Sequence, residues 1–354
     1  MENRRSTVCV IGGAGYLGSW LVRKLLLNGH VVHATLRNLA DGSKAGLLTS
    51  LEGAGERLRL FEADLYDAGT FEAAIQGCEF VFLVATPLLH NSGSPYKDTT
   101  EASLAAARTI LGACRRSSTV KRVIYTGSVM STSPWKDDDS GFKNSIDESC
   151  WTPLHFSNPY LGDFERAYVR SKTLTERELL RVSEEGEDEH GRKLEVVSLA
   201  CGLVGGDAIL PYVPVSMAVI VSPLSGEKTA HRMLKLLQTM LGCVPLLHVD
   251  DVCEAHVFCM ERASISGRFL CAGDYPAMKE IVGHYEREYP EAVVNKEVEG
   301  GGESVIPCRS TKLIDLGFKF KYDMQQILDG SVETVIRLGF PLSSGSSTIS
   351  NCLN

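Results

Sequence analysis

Tyr168 and Lys172 stand four residues apart in AYVRSKTLTERELL, a stretch of helical periodicity, so both side chains fall on one helix face, one turn apart. A phenol titrates near pH 10 and transfers protons poorly at neutrality. An ammonium about 4 Å away would favour the phenolate by about 4 kcal/mol at an effective dielectric near 20, an upper guide to how far it tunes the phenol. Ser128 ends the apolar run RVIYTGS, where a hydroxyl is placed to hold a carbonyl oxygen beside that phenol. A Tyr-x-x-x-Lys pair also arises by chance on exposed helices, and a strand-end serine is a common turn residue. It is their co-occurrence that points to acid–base chemistry on a C=O group.

A second group lies near the N-terminus. Directly after TVCVI come Gly12, Gly15 and Gly18, spaced G-x-x-G-x-x-G, with a helix opening at about Tyr16. Glycines at a strand-to-helix turn let the backbone approach a pyrophosphate, whose charge rests on the N–H groups of the first helical turn, here around Tyr16, Leu17 and Gly18. An NAD site usually carries an acidic residue about 20 positions further on, but this chain has Arg37 in VHATLRN, followed by Lys44. A guanidinium fits a 2′-phosphate in bidentate fashion and an ammonium adds a point charge, which predicts NADP(H). Asp64 and Leu65 after the third strand, and Val84, Ala85 and Thr86 after the fourth, face the same crevice, the first pair toward the adenine amino group.

These residues need a scaffold that brings strand ends together. From Thr7 to Thr126 short apolar, β-branched runs (TVCVI, VVHATL, LRLFEADL, FVFLVATP, VKRVIYTG) alternate with helical patterns, LEVVSLA adds a sixth strand, and GRFLCAG returns late in the chain as one more. The pattern predicts an α/β fold, a Rossmann doubly wound parallel sheet with a smaller, mostly helical C-terminal substrate lobe. The expected boundaries are 1–203 for the NADP-binding domain with 247–273 returning to it, 204–246 and 274–342 for the substrate-binding lobe, and 343–354 for a flexible tail. Polar stretches at 136–147, 184–193 and 300–304 read as surface loops.

Composition narrows the partners. With 44 acidic against 36 basic residues the formal charge is −8, a surface that repels phosphate backbones and anionic lipid, so no nucleic-acid or membrane partner is expected. Eleven cysteines, odd in number and without a C-x-x-C pair, suggest neither a disulfide framework nor a zinc site, and no metal is expected. No signal-like or membrane-spanning run precedes the glycines, so the expected location is cytoplasmic.

The motifs FVFLVATP, DESCWTPL, KLEVVSLACGLVGGD, VPLLHVDDVCEAHVFCMER and GRFLCAG resemble the plant dihydroflavonol reductase-like group of extended short-chain dehydrogenases/reductases, and within it the cereal HC-toxin reductase branch. The likeness runs from about Val8 to Leu338. It implies that Gly12, Gly15 and Gly18 bind the pyrophosphate and Arg37 and Lys44 the 2′-phosphate. It further implies that Ser128 orients the carbonyl, that Tyr168 donates the proton, and that Lys172 binds the nicotinamide ribose besides tuning the phenol. Several positions depart from the group. Gly127 replaces a second serine, Ser133 stands near an asparagine that contacts the flavonoid, and Ala200 and Cys201 replace a proline after the sixth strand. The K-N-W-Y-C-Y-G-K type signature of cinnamoyl-CoA reductases is absent. His90 and Met130, with Ser133, are the expected substrate-pocket residues. His248, Asp250 and Asp251 in HVDDV favour a structural role, one aspartate capping the following helix.

The expected activity is NADPH-dependent reduction of a ketone to a secondary alcohol on a small organic substrate such as an HC-toxin-like keto side chain. The alternatives are a dihydroflavonol or flavonoid reductase and, in another class, a non-catalytic NADP-binding regulatory protein. A sugar-nucleotide epimerase shares the Tyr/Lys pair but retains NAD, which Arg37 disfavours. The expected assembly is a monomer or weak dimer.

Overall fold

The contiguous apolar runs of the first half become strands buried on both faces. The computed structural model describes residues 5–184, 193–298 and 306–343. Its strands are β1 (Thr7–Ile11), β2 (Val31–Leu36), β3 (Leu58–Glu62), β4 (Phe80–Leu83), β5 (Arg122–Ser128), β6 (Glu195–Cys201), β7 (Leu203–Gly205), β8 (Leu246–His248) and β9 (Gly267–Cys271). Seven of them form one sheet in the order β3-β2-β1-β4-β5-β6-β9. The pairings of β1 with β2 and β4, of β2 with β3 and of β4 with β5 are parallel. β3, at one edge, is made of half-buried and exposed residues only, as an edge position allows. Winding reverses between β1 and β4, and in such sheets ligands bind outside the carboxyl ends at that point. This is the Rossmann-type α/β fold that the strand pattern predicts.

The chain groups into two compact units. The first comprises Met1–Ser131, Phe164–Ala200 and Cys253–Phe269, the second Thr132–Asp163, Cys201–Val252 and Leu270–Asn354. The stretch 184–193, the glycine run 300–304 and the tail 343–354 fall almost wholly outside the described residues. In the first unit a buried cluster including Cys9, Ile11, Phe71, Val81, Ile110, Val123 and Tyr125 fills the space between the sheet and the helix Thr99–Arg116. Each apolar side chain so buried contributes roughly 1.5–3 kcal/mol.

One charged group is also sunk into this unit. Arg122, 2% exposed, opens β5. It donates to the carbonyl oxygens of Cys259 (2.6 Å), Met260 and Arg262 (both 3.0 Å) and pairs with Glu195 at the start of β6. These are carbonyls at the C-terminal end of the helix Val249–Glu261, which lack partners within the helix. The ten described cysteines are free thiols, and nine are buried.

The second unit is mostly helical, with helices Lys228–Leu241, Met278–Glu288 and Met324–Arg337. It also holds a small parallel sheet absent from the sequence reading, in which Leu203, Val204 and Gly205 pair with Leu246, Leu247 and His248. Three-residue strands are too short to show a period of two. The aspartate cap expected in HVDDV is corrected as well. Asp250 and Asp251 lie inside the first turn of Val249–Glu261, and it is His248 Nδ1 that accepts from the Asp250 amide at 3.1 Å. Asp251 instead accepts from the Lys321 and Tyr322 amides, and burial raises its carboxyl above the usual range. His248 stacks on Tyr322 with ring centroids 3.6 Å apart, and a Cβ at Gly206 would lie 2.1 Å from its Nε2. The HVDDV motif is thus a packing device. Among the described residues, no group of three or more His, Cys, Asp or Glu is arranged to hold a metal ion, and no helix is long and apolar enough to cross a membrane.

Candidate active site

The turn after β1 is shaped by glycines that leave no room for a side chain. Gly12 sits at φ +92°, and a Cβ there would lie 2.7 Å from Ala85 Cβ; at Gly18 it would lie 2.0 Å from the Gly12 carbonyl oxygen. The Gly12 amide donates to Thr35 Oγ1 and the Gly13 amide to the Thr35 carbonyl, both at 3.0 Å, which pins the turn to the end of β2. The helix Tyr16–Leu27 follows, with exposed Gly15 at its N-cap offering no side chain to the first-turn amides. Such a helix start favours an anionic group of a ligand.

The strand ends collect around it. Arg37, one residue past β2, is exposed and makes no side-chain hydrogen bond or ion pair among the described residues. Lys44 is differently placed, since its ammonium lies 3.1 Å from Asp41. The Asp41 carboxyl is lowered to about 2, first by the Ser43 hydroxyl and then by Lys44. The Val84 and Ala85 amides both donate to the Ile11 carbonyl, at 3.1 and 3.0 Å, so the end of β4 is tied to the end of β1. Leu65, Ala85 and Thr86 line one shallow recess together with Leu83, Ser103 and Tyr125, among others. Asp64 turns its carboxylate back onto the Tyr66 amide at 3.0 Å.

The three expected catalytic residues lie at the end of β5 and on one helix. The helix Asp163–Glu184 carries Tyr168, half-buried, and Lys172, 4% exposed. Lys172 Nζ lies 6.0 Å from the Tyr168 ring centroid and 4.9 Å from that of Tyr125, and donates to the Thr126 carbonyl oxygen at 2.8 Å. Ser128, half-buried two residues on, accepts from the Met130 amide at 3.2 Å. At Gly127 a Cβ would come within 3.0 Å of Ser198 Oγ, so a side chain there has little space.

The expected substrate residues do not form one group. Ser133 is fully buried in the second unit and its hydroxyl donates to the Met240 carbonyl at 2.5 Å, which uses it structurally. Met130 is buried in the short helical turn Val129–Ser131, whereas His90 is exposed in the first unit. Sequence reasoning missed Tyr66, whose hydroxyl donates to the Leu89 carbonyl at 2.6 Å and accepts from the Asn91 amide, pinning the loop after β4. It also missed His256, whose Nε2 meets Thr126 Oγ1 at 2.8 Å. No local spacing announces either contact, because the partners are more than 20 residues apart.

A glycine turn at the β1 switch point and a Tyr/Lys pair at the end of β5 are features that relatives can test. The sequence profile of the NAD dependent epimerase/dehydratase family matches residues 8–272. The chain belongs to that family. Within the epimerase/dehydratase family it is similar to anthocyanidin reductase ((2S)-flavan-3-ol-forming) of Vitis vinifera, 33% identical over 93% of this chain and 95% of the relative. Dihydroflavonol 4-reductase of Callistephus chinensis is 32% identical over 96% and 89% respectively. The crystal structure of vestitone reductase from alfalfa matches with a TM-score of 0.75 at 31% identity, covering 95% of this chain and all of that one. This member of the family is therefore an extended short-chain dehydrogenase/reductase with reductase relatives. None of the three carries the toxin-reductase name that the sequence motifs suggested.

Proposed function

We propose that the chain is an NADPH-dependent carbonyl reductase acting on a flavonoid-class ketone, with Ser128, Tyr168 and Lys172 as its catalytic residues. The observation that carries this reading is the position of Lys172, fixed by the Thr126 carbonyl with its ammonium 6.0 Å from the ring centroid of Tyr168, on the strand that also presents Ser128. The relatives' names move the substrate from a toxin side chain toward the flavonoid alternative.

The residues fit a phosphorylated dinucleotide. The bare glycine turn takes the pyrophosphate at Gly12, Gly15 and the amides of Tyr16, Leu17 and Gly18, and Arg37 takes the 2′-phosphate, with Lys44 in a lesser role because Asp41 holds it. Asp64 and Leu65 face the adenine amino group, and Val84, Ala85 and Thr86 border the same crevice at the end of β4. When bound, NADPH supplies a hydride to the carbonyl carbon. Ser128 holds the carbonyl oxygen, Tyr168 gives that oxygen its phenolic proton, and Lys172 steadies the resulting tyrosinate until solvent returns a proton. The first unit is the cofactor-binding part of this scheme and the second the substrate lobe.

The test is NADPH oxidation followed at the nicotinamide absorbance with a panel holding a dihydroflavonol, an anthocyanidin, a cyclic-peptide keto-epoxide and a simple aliphatic ketone. Turnover is expected with a flavonoid and is abolished by Tyr168→Phe. Turnover of none of them, or a Tyr168→Phe enzyme at full rate, would overturn the reading; preference for the keto-epoxide would return the toxin assignment.

A further inference from the structure

We infer that a buried charged clamp, Arg268 with Glu176, is a positioning device for Ser128, acting through the hydroxyl of Ser131; the inference rests on the function proposed above. Glu176 lies four residues beyond Lys172 and eight beyond Tyr168 on the helix Asp163–Glu184, and is fully buried. One carboxylate oxygen, Oε1, accepts from Arg268 Nε at 3.0 Å and from Ser198 Oγ at 2.6 Å. The other, Oε2, accepts from Arg268 Nη2 at 3.1 Å and lies within hydrogen-bond distance of Ser131 Oγ. Arg268, in β9 and 6% exposed, also donates to the Ser131 carbonyl at 3.0 Å. Ser131 Oγ is 2.7 Å from the Ser128 carbonyl oxygen, so its single proton is shared between Ser128 and Glu176.

The arrangement links the two supports of the proposed chemistry. The tyrosine and lysine ride on one face of a helix; the serine ends a strand and enters the turn Val129–Ser131. A turn has no ladder to hold it, and the backbone at Ser128 is held by Ser131, which the clamp joins to the helix of Tyr168. Isolated burial of Glu176 or Arg268 is costly, and the bidentate geometry with Ser198 and Ser131 answering the remaining lone pairs is what permits it. The bare α-carbon at Gly127 completes the device, because a side chain there would press on Ser198 Oγ, one of the donors to Glu176. A misplacement of the reacting groups by about 1 Å can cost on the order of 100-fold in rate, so a serine held to this degree bears on kcat and not on cofactor affinity.

Ser131→Ala removes the linking hydroxyl, including its acceptance from Arg268 Nη2 at 3.2 Å, and leaves the Arg268–Glu176 pair in place. Its kcat with the best ketone of the panel is expected to fall about 10- to 100-fold, with the NADPH Kd read by nicotinamide fluorescence unchanged, and Ser131→Thr is expected to recover most of the loss. Because Ser131 acts through Ser128, the double variant Ser128→Ala/Ser131→Ala is expected to be no slower than Ser128→Ala alone, a non-additivity that a merely structural residue would not give. The apolar exchange Glu176→Leu/Arg268→Met, which removes both buried charges together, is expected to fold and to show the same loss of kcat. An active wild type whose Ser131→Ala form keeps full kcat, or whose losses with Ser128→Ala multiply, would overturn the inference alone. A wild type that reduces no ketone of the panel would overturn the proposed function and this inference with it.

Discussion

The Lys172 ammonium donates to the carbonyl oxygen of Thr126 at 2.8 Å, two residues before Ser128 on the same strand. Thr126 in turn meets His256 Nε2 through its hydroxyl, so the lysine's direction is set by β5 and not by its own long side chain. Replacing Lys172 by methionine keeps the bulk of the buried stem and removes the charge. The expected loss in kcat is about 10²- to 10⁴-fold, the range of a proton-transfer aid. Steady-state kinetics on a folded Lys172→Met enzyme would show this, and a wild-type rate would exclude the lysine from the chemistry.

In the proposed scheme Arg37 selects the phosphorylated cofactor. A charge-assisted hydrogen bond to a phosphate is worth about 1.5–3 kcal/mol, or about 10- to 100-fold in affinity. Arg37→Asp should raise the KM for NADPH by that factor and lower that for NADH, whereas Lys44→Ala should have a smaller effect because Asp41 already pairs with it. Equal damage from both substitutions would mean that the ion pair opens to bind phosphate.

Gly15 and Gly18 separate cofactor approach from packing. A Cβ at Gly18 would sit 2.0 Å from the Gly12 carbonyl oxygen, while at Gly15 it would meet that oxygen only at 3.6 Å. Gly18→Ala is therefore expected to cost about 1–3 kcal/mol of stability, and Gly15→Ala to leave the Tm in place while weakening NADPH binding. Thermal melts with and without NADPH distinguish the two; a Gly15→Ala protein that binds NADPH normally would remove the pyrophosphate from this turn.

Acid stability should reflect two histidines of the first unit. His30 and His33 are buried, the Nε2 of each has no partner among the described residues, and burial lowers both below the ordinary 6.5. Below pH 6.5 the unfolded chain binds protons that the folded one refuses, so stability falls as the pH drops through that value and is fully present above it. Melts between pH 5 and 8 should show the decline, and His30→Gln/His33→Gln should flatten it. An unaltered slope would assign acid lability to other groups.

Much of the scaffold was legible because strands buried on both faces must be continuous apolar runs, and β1, β2, β4, β5 and β6 come close to that form while β3, LRLFE, lies at the edge. The glycine turn, Ser128, Tyr168 and Lys172 were legible for a similar reason, since each falls at a strand end or on one helix face. What escaped reading joins residues distant in sequence. Arg268 finds Glu176 across 92 positions, and His256 finds Thr126 across 130. Nothing in the few residues around either announces its partner. Ser133 looked available until folding placed the Met240 carbonyl against its hydroxyl.

Arg122 bears on how the molecule is made. Its guanidinium lies in the core of the first unit, yet three of its acceptors, the carbonyls of Cys259, Met260 and Arg262, are encoded some 140 residues later. Until that stretch has left the ribosome, the cation keeps Glu195 but lacks its three carbonyl acceptors, each such hydrogen bond to a charged group being worth about 1.5–3 kcal/mol. The first unit thus cannot be finished before the intervening second-unit segments have been synthesised, and a gene cut after β6 is expected to yield a fragment that does not fold on its own.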